Sequence, residues 1–324
     1  MIFLNEDLLT DNYIVNESIE ESLLSISESV NDFTENALNA DIAMQETLME
    51  SVYLEANGDE PGAIKRFFNG ILQFVKDIWN KIKEFVGNVY MKMTGNSKKI
   101  AGLISDLLND QKYSDALKKD LKITGMKYYF LNSTKSVTQD NGVTKFLPSG
   151  TPTLVDGSFV KTLVGNIEKN TADIDKLVKR QESLTKNKAS IDTAAFSTLN
   201  AISQSFGVIG VTTGKKEETI KGEAFLKEYQ SVATSSFDKN FKNTIKKLKE
   251  NNSKLEKAAK DAIGNANDKD DVKYRKAQCK ILRSAVSAVN KAVGKTVVYR
   301  SAYNVNAYKV ISAVRKEAKN NKKD

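Results

Sequence analysis

Proline punctuates this chain only at Pro61, Pro148 and Pro152. Proline ends or kinks a helix because it lacks an N–H and clashes with the preceding turn. The stretches 62–147 and 153–324 are therefore free to run as long helices. Within them apolar residues recur at three- and four-residue spacing, the pattern of a helix with one buried face. The clearest case begins at Pro61, which suits a first helical position with Asp59 or Glu60 as its cap. Ile64, Phe67, Phe68, Ile71, Val75, Ile78, Trp79, Ile82, Phe85 and Val89 form one stripe, and Lys65, Arg66, Lys76, Lys81 and Lys83 lie on the other side. Gly95-Asn96 predicts the end of this helix.

The same period predicts helices over 100–108, 114–121, 158–184, 193–206, 219–264 and 272–319. Residues 137–146 instead alternate around Asn141-Gly142, a pair that accepts the positive φ of a tight hairpin turn. The segments 148–157 and 207–214 read as loops. The expected fold is mainly α: an elongated helical bundle with one small β-hairpin and an acidic helical leader at the N-terminus. The expected segments are a leader over 1–55, an amphipathic aromatic region over 56–131, a hairpin and loop over 132–157, and a basic helical body over 158–324.

Charge divides the chain more sharply than hydropathy. The first sixty residues hold 15 acids and no Lys or Arg. The rest hold 49 Lys and Arg against 26 acids, a formal +23 that the whole-chain value of +8 conceals. Such a split points to two segments with different tasks, an acidic leader set against a basic binder of nucleic acid or membrane.

Composition excludes several kinds of chemistry. Histidine is absent and Cys279 is the only cysteine, which removes the Ser-His and Cys-His nucleophile pairs, histidine metal sites and internal disulfides. Cys279, beside Ile281 and Leu282, reads as a small core residue. The glycines of Gly210-x3-Gly214-Lys215 lack the spacing of a phosphate loop and the hydroxyl residue after its lysine. Asp268, Asp270 and Asp271 lack the closing Glu of a calcium loop and read as the cap of the last helix. No cofactor or metal is expected, and the chain reads as a non-enzyme. No basic n-region of a signal peptide and no apolar run of membrane-spanning length is present.

Two segments carry candidate binding residues. Residues 272–324 hold fourteen Lys and Arg and two acids. Of these, Arg275, Lys276, Lys280, Arg283, Lys291, Lys295 and Arg300 lie along one helical pattern, interleaved with Tyr274, Tyr299, Tyr303 and Tyr308. Long cations in such an array suit sequence-independent contact with DNA phosphates. They equally suit a solvated helix face. The helix from Pro61 also has two readings. Phe67, Phe68, Phe74, Trp79 and Phe85 are either core anchors or the apolar face of an interfacial membrane helix with lysines opposite. The membrane reading gives the alternative function, an ejected channel component or a toxin.

The leader adds a motif. Ile19-Glu20-Glu21 precedes Ser22, Ile26-Ser27-Glu28 precedes Ser29, and Leu48-Met49-Glu50 precedes Ser51. Each is Ile or Leu, any residue, Glu, then a small residue. This looks like the site cut by the prohead proteases of large tailed phages. With the charge layout, it makes the chain resemble the internal head proteins of T4-like and giant myoviruses.

The resemblance implies an acidic propeptide that targets the chain to the prohead core or scaffold and is removed by the prohead protease. It also implies a basic remainder packaged with DNA inside the capsid, after assembly in the host cytoplasm. Cleavage after Glu50 would remove twelve acids and leave +20. The acids would shield the body from nucleic acid during assembly.

Overall fold

The computed structural model describes residues 61–85, 90–130, 134–138, 144–148, 152–187, 195, 197–199, 201–202, 211–233 and 236–321. The leader and all three cleavage motifs, with Glu21, Ser22, Glu28, Ser29, Glu50 and Ser51, lie outside these residues.

The fold is mainly α and is built around its last helix. The helices are α1 (Pro61–Phe85), α2 (Met91–Asn109), α3 (Ser114–Lys118), α4 (Gly157–Lys186), α5 (Gly222–Ala233), α6 (Ser236–Gly264) and α7 (Lys269–Asn320). At 52 residues α7 is about 78 Å long at 1.5 Å per residue. Asp268 caps it, Oδ1 accepting from the N–H groups of Asp270 and Asp271 at 3.1 Å each. Those two acids occupy the first turn, where a carboxylate complements the helix dipole.

From Ile281 to Asn290 every residue of α7 is buried, so this helix has no solvated face over that stretch. Small residues make this possible. Ser284, Ala285, Ser287, Ala288 and Ala292 let neighbouring helices close in from several sides. Helices α2, α4, α5 and α6 all pack on α7.

The short turn after Gly264 folds α6 back on α7 as an antiparallel helical hairpin. Its turn is fixed by the Asp268 N–H donating to the Asn265 carbonyl at 2.9 Å. Helix α1 runs antiparallel to α6: Asn252 Nδ2 donates to the Val75 carbonyl at 3.2 Å, and Lys249 lies over Trp79. Helix α4 runs parallel to α6, with Lys247–Asp175 at 2.7 Å and Lys254–Glu182 at 2.9 Å. The seven-residue step on both helices is the spacing of flanking ion pairs in a coiled coil.

Three small antiparallel sheets complete the described structure. β1 (Asp120–Ile123) pairs with β7 (Glu218–Lys221), and β2 (Lys127–Phe130) lies between β5 (Pro152–Leu154) and β6 (Val211–Thr213). β3 (Thr134–Thr138) pairs with β4 (Thr144–Pro148), the expected hairpin; its connection with Asn141-Gly142 lies outside the described residues. The first two sheets sit along the C-terminal half of α7. The Gly214 N–H donates to the Met126 carbonyl at 2.8 Å, and a Cβ on Gly214 would collide with the Tyr128 ring. This glycine serves a close approach at the end of a strand, away from any strand-to-helix phosphate loop.

Several sequence expectations are corrected. Gly95-Asn96 does not end a helix. Both lie inside α2, because the adjacent Ser97 hydroxyl donates back to the Met93 carbonyl at 3.0 Å and Ser97 is buried against α7. Leu121 belongs to a strand, paired with Ile220. Residues 128–130, 152–154, 211–213 and 219–221 are also strand. One buried apolar cluster runs from Ile64 to Ala318 and includes Val155, so the described body segments share a core.

Candidate nucleic-acid interface

The seven cations singled out on the last helix do not form an exposed face. Arg283 and Arg300 are buried, at 6% and 1% exposure, and Arg275, Lys276, Lys280, Lys291 and Lys295 are half-buried. The physical reason is the central place of α7. A periodic scatter of charge marks a solvated face only if one side of the helix is left uncovered, and here neighbours surround it.

Four of the seven have described surroundings within the protein. Arg275 pairs with Asp261 at 3.4 Å and with Asp271 at 3.5 Å. The Arg283 guanidinium lies 4.8 Å from the centre of the Phe74 ring. Arg300 sits in a polar cage that joins three helices. Its Nε donates to Ser97 Oγ at 3.2 Å, and its guanidinium faces the Tyr229 ring at 5.6 Å. Asn304 Nδ2 donates to the same Ser97 hydroxyl at 3.1 Å, and the Tyr229 hydroxyl donates to Asn304 Oδ1 at 2.7 Å. Burial pushes the Lys295 ammonium down to about 8, and its Nζ lies 6.0 Å from the Tyr299 ring centre.

Of the interleaved tyrosines, Tyr299 and Tyr303 are interior, and Tyr274 and Tyr308 are half-buried. Tyr299 meets Tyr129 and Phe159 edge-on, at 5.8 and 5.0 Å, and Tyr303 packs against Phe225 and Tyr229. Burial pushes the hydroxyls of Tyr299 and Tyr303 above their usual range, so both stay neutral. Cys279 is a buried core thiol, as expected, pushed up to about 12 by burial.

The aromatic stripe of α1 is core. Phe67 and Phe68 are buried and meet edge-on at 5.1 Å, while Phe74 and Trp79 are half-buried against the same cluster. The side chain of Phe85 lies outside the described residues. No described helix is long and apolar enough to cross a membrane.

An open groove of about 650 Å³ lies where α4 begins, lined by Asp156, Lys161, Lys221, Lys227 and Glu228 among others. Asp156 is engaged as the cap of α4, accepting from the Phe159 N–H at 2.8 Å. The Glu228 side chain packs onto Gly157, where a Cβ would strike it. The lining mixes both signs of charge, and its Ser231 hydroxyl donates to the Glu228 main-chain carbonyl at 2.8 Å.

Exposed cations of the described body lie on α1, with Lys65, Arg66, Lys76 and Lys83, on α4 and on α6, and also on α2 at Lys98 and Lys99, near the strands at Lys122, Lys215, Lys216 and Lys221, and towards the ends of α7 at Lys273, Lys316 and Lys319. Compared with known proteins, the chain matches no protein-family model, no curated protein and no solved structure.

Proposed function

We propose that this chain is an internal head protein of a large tailed phage, packaged with the genome. An acidic propeptide directs it to the prohead and is removed on maturation. Its basic body binds DNA without sequence preference. One observation carries the reading: three Ile/Leu-x-Glu-small motifs fall within the first sixty residues, which hold 15 acids and no Lys or Arg, ahead of a body of formal charge +23.

The physics of the arrangement is coherent. Before cleavage the acids compete intramolecularly with phosphate for the lysines. Cleavage after Glu50 raises the net charge from +8 to +20, and the exposed body cations are then available to displace condensed counterions from DNA. The body's exterior cations are compatible with this role, and the buried ones on α7 are not needed for it.

The test compares duplex binding by the full chain and by the processed protein. Processed protein is expected to bind more tightly, with affinity falling steeply as salt rises. Equal affinity of the two forms, or affinity indifferent to salt, removes the case for unmasking.

A further inference from the structure

Helix α6 carries the most ordered charge on the molecule, and none of it falls among the cations of the last helix. From residue 239 to residue 260 its fully exposed positions are Lys239, Lys242, Asn243, Lys246, Lys249, Ser253, Lys257 and Lys260. All but two are lysine, and none is acidic. Their spacing places the six lysines within an arc of about 80° on a helix of 3.6 residues per turn. The row runs about 32 Å along the axis at 1.5 Å per residue. The half-buried acids Glu250, Glu256 and Asp261 stand at the flanks of this row. Glu256 takes Lys260 at 2.6 Å, and Glu250 reaches Lys246 only at 3.9 Å.

The opposite faces hold this row straight. Phe241, Ile245, Leu248, Leu255, Ala258, Ala259 and Ala262 are buried, and the two ion pairs to α4 lock one edge. On the other edge Trp79 of α1 is shared by two lysines, Lys249 at 5.8 Å and Lys83 at 5.9 Å from the ring centre, which sets a further cation beside the row.

We infer that the lysine row of α6, extended by Lys83, is the surface on which this protein takes the phosphate backbone of double-stranded DNA. The inference rests on the nucleic-acid reading of the body and names where that binding occurs. A rigid row of about 32 Å spans nearly one turn of a duplex, about 34 Å, so several lysines meet phosphates at once. Single strands are held by exposed aromatic platforms on which bases stack, and the exposed positions of this row carry none. Interfacial membrane helices present an apolar face beside their lysines, whereas the apolar seam of α6 faces the core. Lysine contacts made only to phosphates position the duplex and read no sequence.

The test uses the full chain and a random-sequence duplex of about 30 base pairs, titrated from low salt upward. Lys239, Lys242, Lys246 and Lys257 are replaced together by Gln. A matched variant replaces Lys161, Lys169, Lys179 and Lys186, exposed on α4, also by Gln. The α6 variant is expected to lower the slope of log affinity against log salt by about 3.6, since each of four phosphate contacts contributes about 0.9. The α4 variant should leave the slope unchanged, and Arg at the same four α6 positions should retain it. Equal losses in the two Gln variants overturn the inference while leaving DNA binding by the body in place. So does loss of binding to phosphatidylserine vesicles in the α6 variant with an unchanged duplex slope. If neither the full chain nor the processed protein binds duplex at the lowest salt, the nucleic-acid reading falls and the inference with it.

Discussion

Asn306 ties α7 to the strands through three hydrogen bonds. Its Nδ2 donates to the carbonyls of Lys127 at 3.0 Å and Val155 at 2.9 Å, and its Oδ1 accepts from the Lys127 N–H at 2.6 Å. The residue is fully buried, so the loss of its amide would leave backbone groups of two other segments without these partners. Asn306→Ala is therefore expected to destabilise the protein by about 2–4 kcal/mol, read as a shifted midpoint in denaturant; a cost below about 1 kcal/mol would show that water replaces the amide. Lys295 makes the opposite case, a residue the fold tolerates at a cost. Burial lowers its ammonium from the usual 10.5 to about 8. Below pH 8 the lysine is charged in both states and the full desolvation cost is present. Between pH 8 and 10.5 the folded protein sheds this proton while the unfolded chain keeps it, so this group's contribution to stability rises with pH. Lys295→Met should stabilise the protein at pH 7 by about 2 kcal/mol, discounted for partial solvent access, with the gain vanishing near pH 10.5. An equal gain at both pH values would assign the effect to packing.

At the scale of elements, α1 decides between two readings of one aromatic stripe. Phe68 is fully buried and meets Phe67 edge-on. If the stripe is a permanent part of the core, Phe68→Ala should cost about 3–5 kcal/mol of stability, measured by chemical denaturation. A membrane role for α1 predicts instead a large loss of vesicle binding with little loss of stability. Long helices were legible in the sequence because their period repeats many times. The expected 158–184 and 272–319 correspond to the observed α4 and α7 within a few residues at each end. Apart from the β3–β4 hairpin, the strands were not legible. The paired strands of the first two sheets are only three or four residues long, too short to establish an alternation. Their partners are also distant, as with Leu121 and Ile220, so local pattern cannot announce them. The covering of α7 by its neighbours was not legible for a related reason. Periodicity describes one helix at a time, and whether a charged face is covered depends on the others. The available signal was the density of Ala, Ser and Val around all sides of residues 284–293, which marks a central helix. On α6 the signal was direct. Its lysines fall on one arc and its apolar residues on another, a cleaner segregation than α7 offers.

For the whole molecule the governing quantity is the distribution of charge along the chain. The first sixty residues carry −15 and the rest +23, and attraction between charges of opposite sign is strengthened at low salt and screened beyond a Debye length of about 10 Å at 0.1 M. If the leader is a propeptide, its removal after Glu50 is a change of electrostatic state, from a formal +8 to +20. Of the three motifs, Leu48-Met49-Glu50-Ser51 lies nearest the body and the polar stretch from Glu55 to Glu60. A cut there removes twelve of the first fifteen acids, whereas a cut after Glu21 leaves nine of them and a cut after Glu28 leaves eight. The final cut is therefore expected between Glu50 and Ser51, with Glu21 and Glu28 as earlier, dispensable sites. Glu50→Gln should block or displace this cut. Because the retained acids would still compete with phosphate, the variant protein should bind duplex no more tightly than the full chain. Terminal-peptide mass spectrometry of the protein from its native particle reads the outcome directly. A first residue at Ser51 supports the propeptide, and a mature chain beginning at Met1 or Ile2 removes both the propeptide and the phage-head reading that rests on it.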